Sequence, residues 1–279
     1  MVLPQPIGVC LLPFLIAGGA TGLLCDKGGP RALAGPAVGA AMAAAFMAAN
    51  GAPFFGAPPH HALGESLVLF TVAGAAISVF GDGIARWHVI VLWAALAAAV
   101  WPFGIAGFET PDPGDMLQMA IAAGCGCLAL WRLTSLSQDG PAGVGVAAVA
   151  AAGLAAVAGF ARSGVTAGLA LSLACACLGW LVWAWRARRG ATAIATLVAG
   201  TSIISIGVEV TRTALHAPWA LLVLFFCCWP EAVVARVPPL AKLARRKAYR
   251  PTALVLAAAP PAVLAGVLAF VASLGRTAP

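Results

Sequence analysis

The segment from Gly164 to Trp185 reads GVTAGLALSLACACLGWLVWAW and is the clearest indication of the fold class. It holds no charged side chain, and Arg186, Arg188 and Arg189 follow directly. An apolar run of about 20 residues has the length of a helix that crosses a bilayer. Cations directly after such a run are typical of a cytoplasmic helix end. The stretch therefore predicts a membrane-spanning helix whose second end faces the cytoplasm.

The composition of the whole chain extends this interpretation. Of 279 residues, 62% are hydrophobic and 9% are charged, and the mean hydropathy is +0.99. Soluble domains carry about 25% charged residues, disordered chains are polar, and disulfide scaffolds are short and rich in cysteine. All three classes are excluded. The net charge of +7 is interpreted as a signal of membrane orientation, and no nucleic-acid partner is expected.

Turn-forming residues and charges divide the chain into about ten apolar segments of membrane-spanning length. We expect a single all-α transmembrane domain over residues 1–279, with a first helix that is retained rather than cleaved as a signal peptide. Segments six and seven almost touch, so a merged or re-entrant element is an alternative. The predicted spans cover residues 5–24, 33–50, 63–81, 87–107, 114–132, 142–161, 164–185, 191–211, 215–235 and 252–273.

The cationic residues alternate between the loops of this ten-span arrangement. The odd-numbered loops and their flanks hold 13 of the 16 cations, and Arg162, Arg212 and Arg276 lie on the other side. The positive-inside rule then places the odd loops in the cytoplasm and both termini outside. The 13 cations are Lys27, Arg31, Arg86, Arg132, Arg186, Arg188, Arg189, Arg236, Lys242, Arg245, Arg246, Lys247 and Arg250.

Two carboxylates at the predicted cytoplasmic face are candidates for chemistry. Asp82 ends the third span, and Asp139 precedes the sixth span, where it is also in a position to cap a helix N-terminus. Carboxylates gathered beside arginines at one membrane face suit a cation and phosphate groups. We therefore expect Asp82 and Asp139 to approach each other.

Three predicted cytoplasmic segments resemble the polyprenyl-phosphate sugar-1-phosphate transferases, of the glycosyltransferase family 4 type. The segments are Cys25–Ala40, Ala76–Trp87 and Leu133–Val144, in which Asp26, Arg31, Pro36, Gly39, Asp82, Asp139, Gly140 and Gly143 match family motifs. The resemblance implies ten spans, outer termini and a site built from cytoplasmic loops. It also implies Mg²⁺, a UDP-sugar donor, a polyprenyl-phosphate acceptor and a role in the cell envelope at the inner (cytoplasmic) membrane.

Carried over residue by residue, the resemblance assigns catalysis and metal binding to Asp82 and Asp139. Lipid or phosphate binding is assigned to cations at the same face: Lys27, Arg31, Arg86, Arg245, Arg246 and Lys247. The chain departs from the family where Gly81, Ala142 and Ala199 stand at positions of family aspartates, and Leu133 and Leu136 at positions of asparagines. Losing such carboxylates removes charge that positions Mg²⁺ and phosphate.

Three hypotheses for the function remain open at this point. The first is an active, Mg²⁺-dependent transferase. The second, which the missing aspartates favour, is a non-catalytic relative that binds a polyprenyl phosphate or another anionic lipid, or that acts as a scaffold in a homodimer or membrane complex. The third, a transporter subunit, is the weakest because few ionisable groups lie in mid-membrane.

The last predicted cytoplasmic loop is strongly basic. A helix over Leu240–Tyr249 places Leu240 and Leu243 near one face, with Lys242, Arg245, Arg246 and Lys247 beside them. The positive-inside rule alone explains these cations. The alternative is a surface segment that holds anionic headgroups.

Overall fold

The computed structural model describes residues 5–26, 34–50, 59–80, 113–161, 163–184, 189–213 and 218–275. Within these ranges the chain is all-helical and has no strand. The helices are α1 Gln5–Asp26, α2 Ala37–Asn50, α3 Pro59–Phe80, α4 Pro113–Leu136, α5 Ala142–Phe160, α6 Gly164–Ala184, α7 Arg189–Thr213, α8 Pro218–Phe225, α9 Pro230–Arg236, α10 Pro238–Ala244 and α11 Arg250–Leu274.

The all-helical class is confirmed, and the helices lie where apolar runs predicted spans. The predicted fourth span, residues 87–107, lies outside the described residues. Spans six and seven are separate helices, since α5 ends at Phe160 and α6 begins at Gly164. The two helices pack along each other, so the merged element that the sequence left open is not what forms.

Four described helices are long and apolar enough to cross a membrane: Ala142–Phe160, Gly164–Trp183, Thr192–Thr211 and Arg250–Leu274. The bent pair formed by α8 and α9 makes a fifth if it is one span. Shorter apolar helices lie at Val9–Cys25, Ala37–Ala48 and Leu67–Ile77. The chain is therefore a helical membrane protein with four to five candidate spans in its described part.

The core is built from small side chains that let helices approach closely. α5 packs against α6, α7 and α11, and Ala147, Ala151 and Ala158 on it are fully buried. Glycines also allow a close helix approach where α2 and α3 meet α7, because a Cβ on Gly39 or Gly74 would collide with Val198. Membrane helices associate through such close van der Waals contact.

The predicted ninth span is broken, which corrects the expectation of one continuous helix over 215–235. α8 is followed by the 3₁₀ turn Phe226–Cys228, and α9 leaves at an angle of 76°. Pro230 begins α9, and Trp229 before it has a non-helical backbone (φ −115°, ψ 54°). Proline has no N–H to donate and pushes the preceding residue out of the helical region. The break therefore follows from Trp229–Pro230.

The basic helix is shorter than predicted. α10 ends at Ala244, and residues 245–249 form turns that lead into α11, rather than a helix to Tyr249. Val237 is extended (φ −107°, ψ 102°) before Pro238, which separates α10 from α9. The segment between α8 and α11 is thus two short helices at the surface of the bundle.

Several inter-helix connections lie at the same end of the bundle, here called the loop end. Trp180, near the end of α6, donates from Nε1 to the carbonyl oxygen of Ala34 before α2 (2.7 Å). Gly143, at the start of α5, lies against Thr196 in the first turns of α7. Asp139, before α5, is paired with Arg250 at the start of α11. These contacts join segments that the charge bias predicts to lie on one side of the membrane, and that sidedness stays a prediction.

Candidate functional site

Two ion pairs connect α4 and the turn after it to the start of α9 and to the start of α11. The Nη2 atom of Arg132, in the last turns of α4, lies 2.8 Å from Oε2 of Glu231 at the start of α9. The Nη2 atom of Arg250 lies 3.2 Å from Oδ2 of Asp139. The charged groups of the loop end are therefore brought together across about a hundred residues of chain.

Asp139 is held by a tight turn after α4. Residues Ser137–Asp139 form a 3₁₀ turn, and Gly140, whose φ is +79°, donates from its N–H to the Ser137 carbonyl oxygen (3.2 Å). Only glycine adopts that φ without strain. Pro141 is the N-cap residue of α5, and α5 has no side-chain cap. The capping role considered for Asp139 is therefore wrong, and its carboxylate pairs with Arg250 instead.

The described carboxylates do not by themselves form a magnesium site. Mg²⁺ is usually held by one or two carboxylates together with phosphate oxygens. Asp139 already has a cation, Arg250, as its partner, and no cluster of three or more potential metal ligands exists among the described residues. The other predicted ligand, Asp82, and the neighbouring Gly81 lie outside the described ranges. Their predicted approach to Asp139 stays a prediction.

Four of the positions that depart from the transferase motifs are described by the structure, and they belong to the hydrophobic core. Ala142 and Ala199 have no exposed surface, and Leu133 and Leu136 are almost fully buried. Gly143, which matches a motif, is needed for packing, because a Cβ there would collide with Thr196 and with the Leu133 carbonyl. Gly143 thus permits a close helix approach, and the four other positions are filled by apolar side chains.

An apolar cavity of about 230 Å³ opens between α4, α5, α7 and α8. Its walls include Leu133 of α4, Leu154 of α5, Ile203 and Gly207 of α7 and Phe225 of α8, and almost all of the lining surface is apolar. A cavity of this kind among apolar helices accommodates a hydrocarbon chain rather than a sugar or a nucleotide, whose polar groups would lose their hydrogen bonds.

Arg132 lies beside the loop end of this cavity. The next residue, Leu133, lines the cavity, and Arg132 is close to Cys228, which lines it as well. The Nε atom of Arg132 is buried and has no hydrogen-bond partner within the described part of the chain. A guanidinium with a spare buried donor is suited to an anionic group such as a phosphate.

The predicted phosphate-binding cations fall into two groups. Arg245, Arg246 and Lys247 are exposed in the turns between α10 and α11. Lys27, Arg31 and Arg86 lie outside the described residues.

Sequence reasoning missed the Arg132–Glu231 pair. Glu231 is the one carboxylate in the predicted ninth span and directly follows Trp229–Pro230. A lone charge next to a helix-breaking proline was a signal that the span breaks there and needs a cationic partner.

In comparisons with protein-family models, with curated proteins and with solved structures, nothing matched this chain.

Proposed function

We propose that this membrane protein binds one anionic polyprenyl lipid at the loop end of its helical bundle and does not transfer a sugar phosphate. The observation that carries the proposal is the apolar cavity with Arg132 beside it. The cavity would accommodate isoprene units, and the guanidinium of Arg132 would bind the phosphate. A polyprenyl phosphate combines these two chemistries in one molecule.

The same proposal makes the chain a diverged relative of the polyprenyl-phosphate sugar-1-phosphate transferases in the inner membrane, with ten spans and both termini outside. Two observations favour binding over catalysis. Ala142 and Ala199 are buried where the resemblance expects aspartates, and Asp139 is paired with Arg250. An active site that joins two anionic reactants depends on Mg²⁺ and positioned charge, which buried alanines do not supply.

Binding is tested with purified full-length protein in neutral micelles and a fluorescent isoprenyl phosphate. Gly207 lines the cavity, and a Cβ added there has no neighbouring atom within 4 Å, so we expect Gly207→Leu to fill the cavity without disturbing the backbone. We expect at least a tenfold loss of affinity, which is about 1.4 kcal/mol. Gly168→Leu is the matched control, because Gly168 on α6 also faces open space and lies away from the cavity lining. Equal binding by wild type and Gly207→Leu would refute the site.

Catalysis is tested separately with a UDP-sugar, Mg²⁺ and a polyprenyl phosphate. We expect no UMP release above the background of protein-free micelles. Release of UMP that is lost in Asp139→Asn would show an active transferase and would overturn the non-catalytic half of the proposal.

A further inference from the structure

We infer that the segment from α9 to the start of α11 lies in the headgroup layer of the bilayer and binds the acidic phospholipids of the surrounding leaflet. This surface is distinct from the apolar cavity. It involves many weakly held bulk lipids, whereas the proposed function concerns one polyprenyl lipid, so either inference can fail without the other.

α9 turns sharply away from the direction of α8. α8 and its 3₁₀ turn are long enough for a candidate span only together with α9, and α9 departs from them at 76°. A helix at such an angle to a span runs close to the membrane plane when the span follows the membrane normal. α10 packs on α9 and on α11, which keeps the whole segment against the loop end of the bundle.

The two faces of α10 differ in the way that an interfacial helix requires. Leu240 and Leu243 are half-buried, whereas Lys242 is exposed. In the following turns Arg245, Arg246 and Lys247 are also exposed. Interfacial helices have an apolar face directed into the membrane or protein and a cationic face toward anionic headgroups.

The carboxylates near this segment are already neutralised. Glu231 is paired with Arg132, and Asp139 with Arg250. No ion pair involves Lys242, Arg245, Arg246 or Lys247 in the portion of the chain that the structure describes. The segment therefore presents a net positive surface, and the complementary partner is an anionic one.

Aromatic side chains at the loop end give an independent mark of the membrane boundary. Trp131 near the end of α4 is 62% exposed, Trp183 near the end of α6 is 40% exposed, and Tyr249 before α11 is 50% exposed. Tyr249 is the only tyrosine in the sequence. Tryptophan and tyrosine gather at the level of the headgroups. The cationic turns end at Tyr249, which favours a bilayer surface over an acidic protein as the partner of the segment.

The test uses the full-length protein in neutral micelles at low salt, with fluorescent phosphatidylglycerol and fluorescent phosphatidylcholine as probes. We expect the wild type to bind phosphatidylglycerol more tightly and the triple variant Arg245→Gln, Arg246→Gln, Lys247→Gln to lose at least tenfold in that affinity. At high salt, the affinity of the wild type for phosphatidylglycerol should fall toward that of the triple variant. Unchanged phosphatidylglycerol binding in the variant would overturn the inference.

A charge-conserving variant controls for side-chain shape. Arg245→Lys, Arg246→Lys, Lys247→Arg should bind phosphatidylglycerol like the wild type, and a loss as large as that of the glutamine variant would contradict a headgroup surface. The position of the segment is tested by trypsin, which cleaves after these residues. Cleavage should be slower in phosphatidylglycerol nanodiscs than in phosphatidylcholine nanodiscs. Equal rates would point to an acidic protein partner and would refute the inference.

Discussion

At the scale of single residues, Arg132 combines a structural contact with a free donor. Its Nη2 is bound to Glu231, while its buried Nε has no partner within the described ranges. Glu231 is 40% exposed, so solvent screens the pair and its contribution to folding is below about 1 kcal/mol. The pair therefore stabilises the bend only modestly, and Arg132 can turn part of its hydrogen-bonding capacity to a ligand.

Variants of the two partners should separate these roles. We expect Glu231→Gln to lower the free energy of unfolding slightly while it keeps or raises the affinity for an isoprenyl phosphate, because the competing carboxylate is gone. Arg132→Gln should lower that affinity about tenfold. Thermal unfolding and fluorescent-lipid binding measure the two effects. Parallel losses of affinity in both variants would assign the pair a purely structural role.

Gly143 gives a second prediction at the same scale. Gly143→Ala should destabilise the protein by about 1–3 kcal/mol, because its Cβ would overlap Thr196 and the Leu133 carbonyl. Gly168→Ala is the control, since a Cβ there meets nothing and alanine favours the helix by up to about 1 kcal/mol. Chemical denaturation in micelles measures the free energies of unfolding of the two variants and of the wild type. If both variants unfold like the wild type, the close approach of α5 and α7 is wrong.

At the scale of elements, the positions of helices could be predicted well and their breaks poorly. Apolar runs such as Gly164–Trp185 locate spans because a bilayer demands about 20 apolar residues. Hydropathy averaged over residues 215–235 hides the effect of Pro230, which acts through backbone geometry and not through polarity. The contact between Arg132 and Glu231 could not be predicted for a related reason: it depends on that bend, and the partners are 99 residues apart.

The bend itself can be tested by replacing its cause. Pro230→Ala should let α8 and α9 approach one continuous helix. With spin labels at positions 219 and 236 in a cysteine-free background, the distance between the labelled backbone positions should rise from ~20 Å to ~25 Å, as a rise of about 1.5 Å per residue requires. Pulsed electron paramagnetic resonance measures it. An unchanged distance would mean that packing against α11, rather than Pro230, maintains the bend.

At the scale of the whole molecule, contacts at the loop end join segments that are far apart in sequence. Trp180 contacts Ala34, and Asp139 pairs with Arg250. The charge alternation predicts that these segments lie on the cytoplasmic side, because the membrane forces successive loops to opposite sides. The sequence could not supply the details of the site, because the cavity depends on how four helices pack.

Topology is the first prediction for the molecule as a whole. Reporter domains fused after Gly140 and after Pro111 should report opposite sides of the membrane, with Gly140 in the cytoplasm, since the cations follow the odd loops. Alkaline phosphatase and fluorescent-protein fusions give complementary signals. Both fusions on one side would contradict the ten-span arrangement.

Photolabelling with a polyprenyl phosphate that carries a diazirine on its isoprenoid chain identifies the helices that contact the bound lipid. Reconstituted full-length protein is irradiated, and the modified peptides are identified by mass spectrometry. We expect labels on the cavity walls, around Ile203–Gly207 of α7 and Leu221–Phe225 of α8, and loss of these labels in Gly207→Leu but not in Gly168→Leu. Labels spread over the lipid-facing surface of α11, with the same pattern in both variants, would contradict a polyprenyl site in this cavity.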